Sequence, residues 1–499
     1  MSGGRPIYLD YAATTPVDPA VAKAMSECLE EDGIFGNASS ATHWYGRHAA
    51  KAIEMARSRV AALVGAQPDE IVFTSGTTES CNLAILGSAR ASAYRGRHVV
   101  TSRTEHKAVL DPFKRLEKEG FTVTYLVPDR SGLIGVEALQ AALREDTILV
   151  SLMHVNNEIG VIQDIAALAA ACRAREIAFH CDAAQSVGKL PLAVSALGVD
   201  FLSFTAHKIY GPKGIGALHV RRASRPRIQA VTFGGGQEQG LRPGTLPTHQ
   251  IVGFGEACAL AAQRLGEQQK LVELRDRLWK SLAELPAVHL NAEAAPRVAH
   301  ILNVSFEGVE GESLVMGLAE LALSTGSACN SASAEPSYVL RALGRDAQLA
   351  QSSLRFSFGR STTRADVDAA AAAVKREVLR LRALSPASGA NPFAGVTPTG
   401  ALVTGEAGSP AQEAWVRFHL LVEGDAVKAA RFQAYGCPHT LAAASWLTER
   451  LPGRQRDPLV IGEPREWART LEVPVEKLGR LLIVEDALRE CLQHWPAKP

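Results

Sequence analysis

A chain of 499 residues, 46% hydrophobic and 21% charged, has the composition of a soluble globular protein with two or three domains. Its formal net charge of +1 gives no electrostatic reason to expect nucleic acid as a partner. The eight cysteines are scattered and form no CxxC pair. No apolar run reaches the ~20 residues that cross a membrane, and the N-terminus lacks an apolar signal segment. We therefore expect a cytoplasmic protein without membrane contact.

Apolar strands alternate with helical patterns through the first half of the chain. The predicted strands are residues 71–74, 98–102, 122–127, 148–153, 177–181, 199–204 and 216–220. Such alternation is typical of an α/β domain whose mostly parallel sheet is covered by helices on both faces. We assign it residues 1–260, with an N-terminal segment that can pack against the next domain.

The remainder divides into two further units. Residues 261–384 combine helices, a few strands and a long Ala-rich helix, which predicts a small α+β domain. Residues 385–412 are rich in Gly, Pro, Ser and Thr, and we interpret them as a linker and an irregular domain start. A third domain spans 390–499, with strands predicted at 414–422 and 427–435 and helices after them.

Polar side chains follow several of the predicted strands, at the edge where open parallel sheets bind ligands. The segment SGTTES follows the first strand and opens a helix, an arrangement that can cradle a phosphate or simply cap the helix. Considered singly, each of the other polar residues also has an ordinary explanation as a cap or a solvated loop residue.

Considered together, these residues suit pyridoxal phosphate, which needs a Schiff-base lysine, an acid at the pyridinium nitrogen and donors for its phosphate. Lys208 supplies the amine and Asp182 the acid. His106 can stack on the ring and move protons, and Gln185 can reach the phenolic oxygen. The predicted phosphate donors are Thr77, Thr78, Thr205 and His207.

Nine motifs in order resemble the cysteine desulfurases of the IscS/NifS type, over residues 6–384. They are YLDYAATTPVDP, FTSGTTES, TSRTEHKAV, MHVNNEIG, FHCDAAQSVGKLP, SFTAHKIYGPKGIGAL, RPGTLP, STGSACNSASAEPSYVLRALG and LRFSFGR. The resemblance implies the aspartate-aminotransferase fold with a seven-stranded sheet, a pyridoxal phosphate cofactor, and the same roles for the residues named above. It also implies a homodimer in which Thr245 serves the second subunit's phosphate site.

The resemblance further assigns substrate and sulfur chemistry. Asn157 and Arg355 match groups that hold the substrate carboxylate, a task that suits the planar fork of arginine. Cys329, in a loop dense in Gly, Ser and Ala, matches the nucleophile that takes sulfur from L-cysteine as a persulfide and releases L-alanine. The implied function is sulfur supply, through acceptor proteins such as a scaffold, for iron–sulfur cluster assembly or other thio-cofactors.

Two other functions also have to be considered from the sequence. A selenocysteine lyase, or another lyase or aminotransferase, can use the same fold and cofactor. The protein could instead be a non-enzymatic assembly adaptor with an inactive cofactor site. The sequence argues against this function because it keeps the full set of Lys208, Asp182, His106 and Cys329.

The third domain resembles a degenerate iron–sulfur scaffold of the IscU/NifU type, through ANPFAG, VKAARFQAYGCPHTLAAASWLTE and LLIVEDALREC. A working scaffold holds its cluster with three cysteines and an Asp, whereas this domain keeps only Cys437 at the equivalent turn. We therefore expect no metal site. Cys437, followed by Pro438 at a helix start, is a candidate acceptor of persulfide from Cys329; alternatively the domain docks or regulates, or is a structural relic.

Overall fold

The computed structural model describes residues 5–325, 336–386, 393 and 400–496. Its largest sheet has seven strands in the order β2-β8-β7-β6-β5-β3-β4. These strands are β2 (Ile71–Thr74), β3 (His98–Ser102), β4 (Thr122–Leu126), β5 (Thr147–Met153), β6 (Ala178–Asp182), β7 (Phe201–Thr205) and β8 (Gly216–Val220). Only β8 runs against its neighbours, so the predicted mostly parallel sheet is confirmed.

Helices cover both faces of this sheet. They are α1 (Pro19–Ser26), α2 (Trp44–Val64), α3 (Thr77–Ala91), α4 (Lys107–Lys118), α5 (Val136–Ala142), α6 (Ile165–Arg173), α7 (Val194–Leu197) and α8 (Thr248–Gln263). Successive strand residues point to opposite faces. Phe179 accordingly belongs to the core that α2, α6 and α8 cover, whereas Ala178 belongs to the core beneath α3 and α4.

A smaller unit follows, built on a four-stranded sheet in the order β12-β13-β10-β9. Its strands are β9 (Val288–Leu290), β10 (Ile301–Phe306), β12 (Ser324–Thr325) and β13 (Ser353–Ser357), and its helices are α9 (Gln268–Leu282), α10 (Gly311–Met316), α11 (Tyr338–Ala342), α12 (Ala347–Gln351) and α13 (Arg364–Leu384). The N-terminal strand β1 (Ile7–Tyr8) pairs with β11 (Leu321–Ala322) of this unit.

The C-terminal unit has its own antiparallel sheet and core. Strands β14 (Ala401–Ser409), β15 (Ala414–Glu423) and β16 (Ala426–Tyr435) are covered by helices α14 (Pro438–Arg450), α15 (Pro464–Thr470) and α16 (Leu478–Gln493). The residues of β14 form a regular strand, not the irregular domain start that their composition predicted. Glycine there has a packing reason: a Cβ on Gly405 would lie 2.4 Å from the backbone nitrogen of Cys491 in α16.

Polar contacts between described residues help to join the C-terminal unit to the smaller one. The hydroxyl of Ser313 donates to the carbonyl of Gly436 at 2.7 Å, and Lys477 pairs with Glu312 at 2.8 Å. Gln348 also donates to the hydroxyl of Tyr435 at 3.0 Å. Across the described residues, we find no helix with the length and apolar character needed to span a membrane.

Candidate active site

One cavity of about 520 Å³ lies at the carboxyl ends of the parallel strands, beside the smaller unit. Its walls bring together the following predicted site residues, which are spread over 279 positions of sequence: Thr77, Thr78, His106, Asn157, Asp182, Gln185, Thr205, His207, Lys208 and Arg355. Two predicted site residues in the described part of the chain, Thr245 and Cys437, lie outside these walls.

Lys208 lies in a short 3₁₀ turn directly after β7. Its ammonium donates to the backbone carbonyls of Ala12 and, at 2.9 Å, Ala13. Both carbonyls belong to the N-terminal segment, which is held in turn by the bond from the Ala12 N–H to the Ser357 hydroxyl at 2.8 Å. The reactive amine is therefore positioned by backbone oxygens near one end of the chain.

Asp182 ends β6 and is 5% exposed. Burial raises the pKa of its carboxyl to about 6, although the bond from the Ala184 N–H and the charge of Lys208 both favour the ionised form. A buried carboxyl with such a pKa is well suited to share a proton with a ring nitrogen.

His106 is the N-cap residue of α4, and its Nδ1 accepts the N–H of Ala108 at 3.1 Å. Burial, with the nearby charge of Lys208, lowers the pKa of its imidazole to about 4. The ring is therefore neutral at pH 7, and because Nδ1 accepts a bond, Nε2 carries the proton. A neutral flat ring can stack on an aromatic cofactor and donate a hydrogen bond.

The start of α3 forms the predicted phosphate cradle. Its N-cap is Gly76, whose φ of +151° favours glycine and which supplies no capping side chain. Among the described residues, the buried hydroxyl of Thr77 has no hydrogen-bond partner. Uncapped N–H groups and a partnerless hydroxyl at a helix N-terminus suit an anion.

The other predicted phosphate donors are engaged differently. The Thr205 hydroxyl donates to the carbonyl of Ile215 at 3.1 Å, so its hydrogen must leave that bond before it can serve a phosphate. His207 shares a 3.2 Å bond between its Nδ1 and the Thr14 hydroxyl. Burial and the charge of Lys208 lower the pKa of His207 to about 4, so its ring is also neutral at pH 7.

Arg355 on β13 lines the cavity, and most of its guanidinium already makes hydrogen bonds within the protein. It donates to the carbonyl of Asn157 at 3.0 Å and to the carboxylate of Asp10 at 2.8 Å. Its Nε and the side-chain oxygen of Asn157 are buried and have no hydrogen-bond partners within the part of the chain that the structure describes. Asp10 is a site residue that pattern reasoning from the strand ends missed, because it precedes the first strand of the large sheet.

The remaining predicted residues lie elsewhere. Cys329 is outside the described residues. Thr245 is exposed and does not line the cavity of its own subunit. Cys437 is the N-cap residue of α14, 3% exposed, with its sulfur 3.5 Å from the Thr440 hydroxyl. Within the described ranges, no group of three His, Cys, Asp or Glu side chains is placed to hold a metal.

Comparisons with known proteins divide the chain into two parts. Residues 7–370 match the class V aminotransferase family, and residues 391–499 match the NifU-like N-terminal domain family. The chain is 59% identical over 382 residues to the cysteine desulfurase IscS of Pectobacterium atrosepticum. The matched region covers 76% of this chain and 95% of that protein.

Solved structures resemble the same part of the chain. A NifS-like protein superposes with a TM-score of 0.70 at 35% identity, covering 75% of this chain and all of that one. The structure of SspA in complex with cysteine superposes with a TM-score of 0.62 at 39% identity, covering 70% of this chain and 98% of that one.

Proposed function

The chain belongs to the class V aminotransferase family, among the cysteine desulfurases, and from this premise we propose that residues 1–384 convert L-cysteine to L-alanine and leave the sulfur as a persulfide on Cys329. The observation that carries the proposal is the convergence of Lys208, Asp182 and His106 on one cavity. An amine, a buried acid and a neutral imidazole are the groups that pyridoxal phosphate chemistry requires.

The residues present fit that cofactor. Lys208 would hold it covalently, Asp182 would meet the ring nitrogen, and His106 would lie on the ring face. The partnerless hydroxyl of Thr77, at the uncapped start of α3, gives the phosphate a donor. Once bound, pyridoxal phosphate would supply an electron sink for bonds broken at the substrate.

The protein's own groups would then handle substrate and protons. Arg355 Nε is buried and has no partner in the described ranges of the chain, so it can donate to the substrate carboxylate. The Cys329 thiolate attacks the substrate sulfur: an S–S bond forms, the C–S bond breaks, and its electron pair stays with the substrate carbon. Protonation of that carbon, by a proton that His106 has first taken up from the substrate, completes alanine.

A paired assay tests this function. The unmutated protein should show a visible absorbance band that changes when L-cysteine is added, and it should release sulfide in the presence of a thiol reductant. Lys208→Ala should lose both signals, whereas Cys329→Ala should keep the band and lose sulfide. Cys28→Ala and the surface change Lys114→Met are the matched controls. Failure of the unmutated protein to produce either signal would overturn the proposal.

We propose that the working enzyme is a homodimer. Thr245 is exposed and distant from its own cavity wall, and the side chain of Phe233, earlier on the same segment, is 88% exposed. An exposed large aromatic side chain on a predicted intersubunit segment favours a protein interface. Light scattering should give twice the chain mass, and Thr245→Ala should weaken cofactor affinity without changing that mass; a monomeric active enzyme would contradict the proposal.

We also propose that the enzyme works in the cytoplasm. The seven cysteines in the described residues are all free and buried. Buried thiols without disulfides suit a reducing compartment. Fractionation of the source cells should place desulfurase activity in the cytoplasmic fraction, and its recovery outside that fraction would contradict the assignment.

For the C-terminal unit we propose docking on its own desulfurase as the main role, with Cys437 as the candidate sulfur acceptor. The bond between Ser313 and the Gly436 carbonyl holds the cysteine turn against α10, and Cys437 is almost fully buried. After a reaction with ³⁵S-cysteine, peptide mapping should show label on this unit only if the relay operates. Cys437→Ala should then remove the label and Cys491→Ala retain it, whereas an unlabelled unit would leave docking alone. An outside iron–sulfur scaffold would be the acceptor in that case.

A further inference from the structure

An amine and a buried imidazole lie next to Gln185, and neither lines the main cavity. Lys189 Nζ is 2.9 Å from Gln185 Oε1 and 3.2 Å from His300 Nε2. His300 Nε2 is itself 3.3 Å from Gln185 Oε1. Gln185 and His300 are 3% and 2% exposed, whereas Lys189 is partly exposed, so these bonds are partly shielded from water.

These contacts determine which way the Gln185 amide faces. Its Nε2 is 2.9 Å from the carbonyl of Ala12, which can only accept, so this end must be the nitrogen. Its Oε1 faces the amine of Lys189. An amide NH₂ has two hydrogens, and Ala12 uses one, so the second remains for a ligand in the cavity that Gln185 lines.

Both groups of the pair are close to cationic side chains. Burial, together with the charges of Lys208 and Arg355, lowers the pKa of the Lys189 amine well below its usual range. Burial, with Lys189 and the same two cations, likewise lowers the pKa of His300. An amine donates hydrogen bonds whether or not it is protonated, so Lys189 can orient the amide in either state.

We propose that Lys189, supported by His300, is a positioning residue that holds the Gln185 amide with its nitrogen toward the phenolic oxygen of the cofactor. The inference rests on the proposed function, in which Gln185 meets that oxygen. Without the amine at Oε1, only the Ala12 carbonyl and His300 still hold the amide, so its nitrogen is held less firmly toward the phenolic oxygen.

The test is the pH titration of the visible absorbance band of the holoenzyme. An N–H that donates to the phenolic oxygen reduces the negative charge on that oxygen. Because this charge would stabilise the protonated form of the neighbouring nitrogen contributed by Lys208, the N–H lowers the pKa of that nitrogen. Lys189→Met should therefore move the midpoint of the band to higher pH, by on the order of half a unit to one unit. Gln185→Ala should move it in the same direction. Lys270→Met, a lysine that donates to the Arg360 carbonyl, should leave it unchanged.

The double variant separates positioning from packing or direct electrostatics. If Lys189 acts through Gln185, adding Lys189→Met to Gln185→Ala produces no further shift. An equal shift in both backgrounds, or an unshifted midpoint in folded Lys189→Met, overturns the inference. Should Lys189→Met fail to fold, His300→Asn makes the same comparison, with a smaller shift that should vanish in Gln185→Ala. Absence of the band in the unmutated protein would instead overturn the proposed function.

Discussion

Glu158 should make the protein less stable as the pH rises through neutrality, and Glu158→Gln should remove that loss. The carboxyl is 3% exposed, and one of its oxygens accepts the Ser337 hydroxyl at 2.5 Å. Burial raises the pKa of Glu158 to about 7, against the opposing effects of Ser337 and of the charge on Arg355. Glutamine keeps the shape and can donate to the same hydroxyl, but it has no charge to bury.

The direction in which the free energy of unfolding changes with pH follows from proton binding. Between pH ~4.5 and ~7 the unfolded chain has lost the proton that the folded protein still holds, so stability falls as the pH rises through this window. A difference of about 2.5 pKa units corresponds to about 3 kcal/mol, most of which accrues between pH 5 and pH 8. The variant and the parent should therefore be close in stability at pH 5, and the variant should be more stable by roughly 2–3 kcal/mol at pH 8.

Urea unfolding followed by circular dichroism at the two pH values measures this difference. The exposed Glu137→Gln serves as the matched control and should show no change with pH in its difference from the parent. A Glu158→Gln difference that is the same at pH 5 and pH 8, or a variant less stable than the parent at pH 8, would refute the assignment of a buried ionisable carboxyl.

Three further predictions concern other parts of the protein. Arg57→Met leaves the buried Glu238 carboxylate unpaired, so it should cost about 3–5 kcal/mol in urea unfolding, and a cost below about 1 kcal/mol would contradict a buried ion pair. Asp182→Asn should retain the visible band but lower turnover on the order of 100-fold or more at equal cofactor occupancy, and unchanged turnover would exclude its role at the ring nitrogen. Ser313→Ala leaves the Gly436 carbonyl without its donor and should weaken docking by about 1–3 kcal/mol, seen as faster hydrogen exchange in the cysteine turn, whereas unchanged exchange would show that the bond does not hold the turn.

The strands of the large sheet could be predicted from sequence because all but β4 are continuous buried runs. All seven begin and end within two residues of their predicted bounds. Strand β14 was not predicted, because its exposed residues and glycines resemble a linker. The glycine at Gly405 serves a close helix crossing that depends on residues more than eighty positions away.

The side chains of the site could be predicted, but the groups that form hydrogen bonds to them and hold them in place could not. Lys208 and Asp182 follow strands whose carboxyl ends meet, so topology alone places them together. The carbonyls that hold Lys208 are backbone atoms of Ala12 and Ala13, which leave no side-chain signature. Lys189 and His300 are 111 residues apart, one in the loop after β6 and the other just before β10, so no local sequence pattern connects them.

The N-terminal segment gives this site a particular order of assembly during synthesis. The carbonyl of Leu9 accepts the N–H of Ser357, and Asp10 pairs with Arg355, so residues from the start of the chain have partners about 345 positions later. At roughly 5–20 residues per second, those partners leave the ribosome some tens of seconds after the first strand. The large sheet can form in that interval, but the pocket stays open on one side. The N-terminal segment can contact His207 and Tyr210 of the large unit before then, but its bonds to Arg355 and Ser357 form only when the second unit emerges.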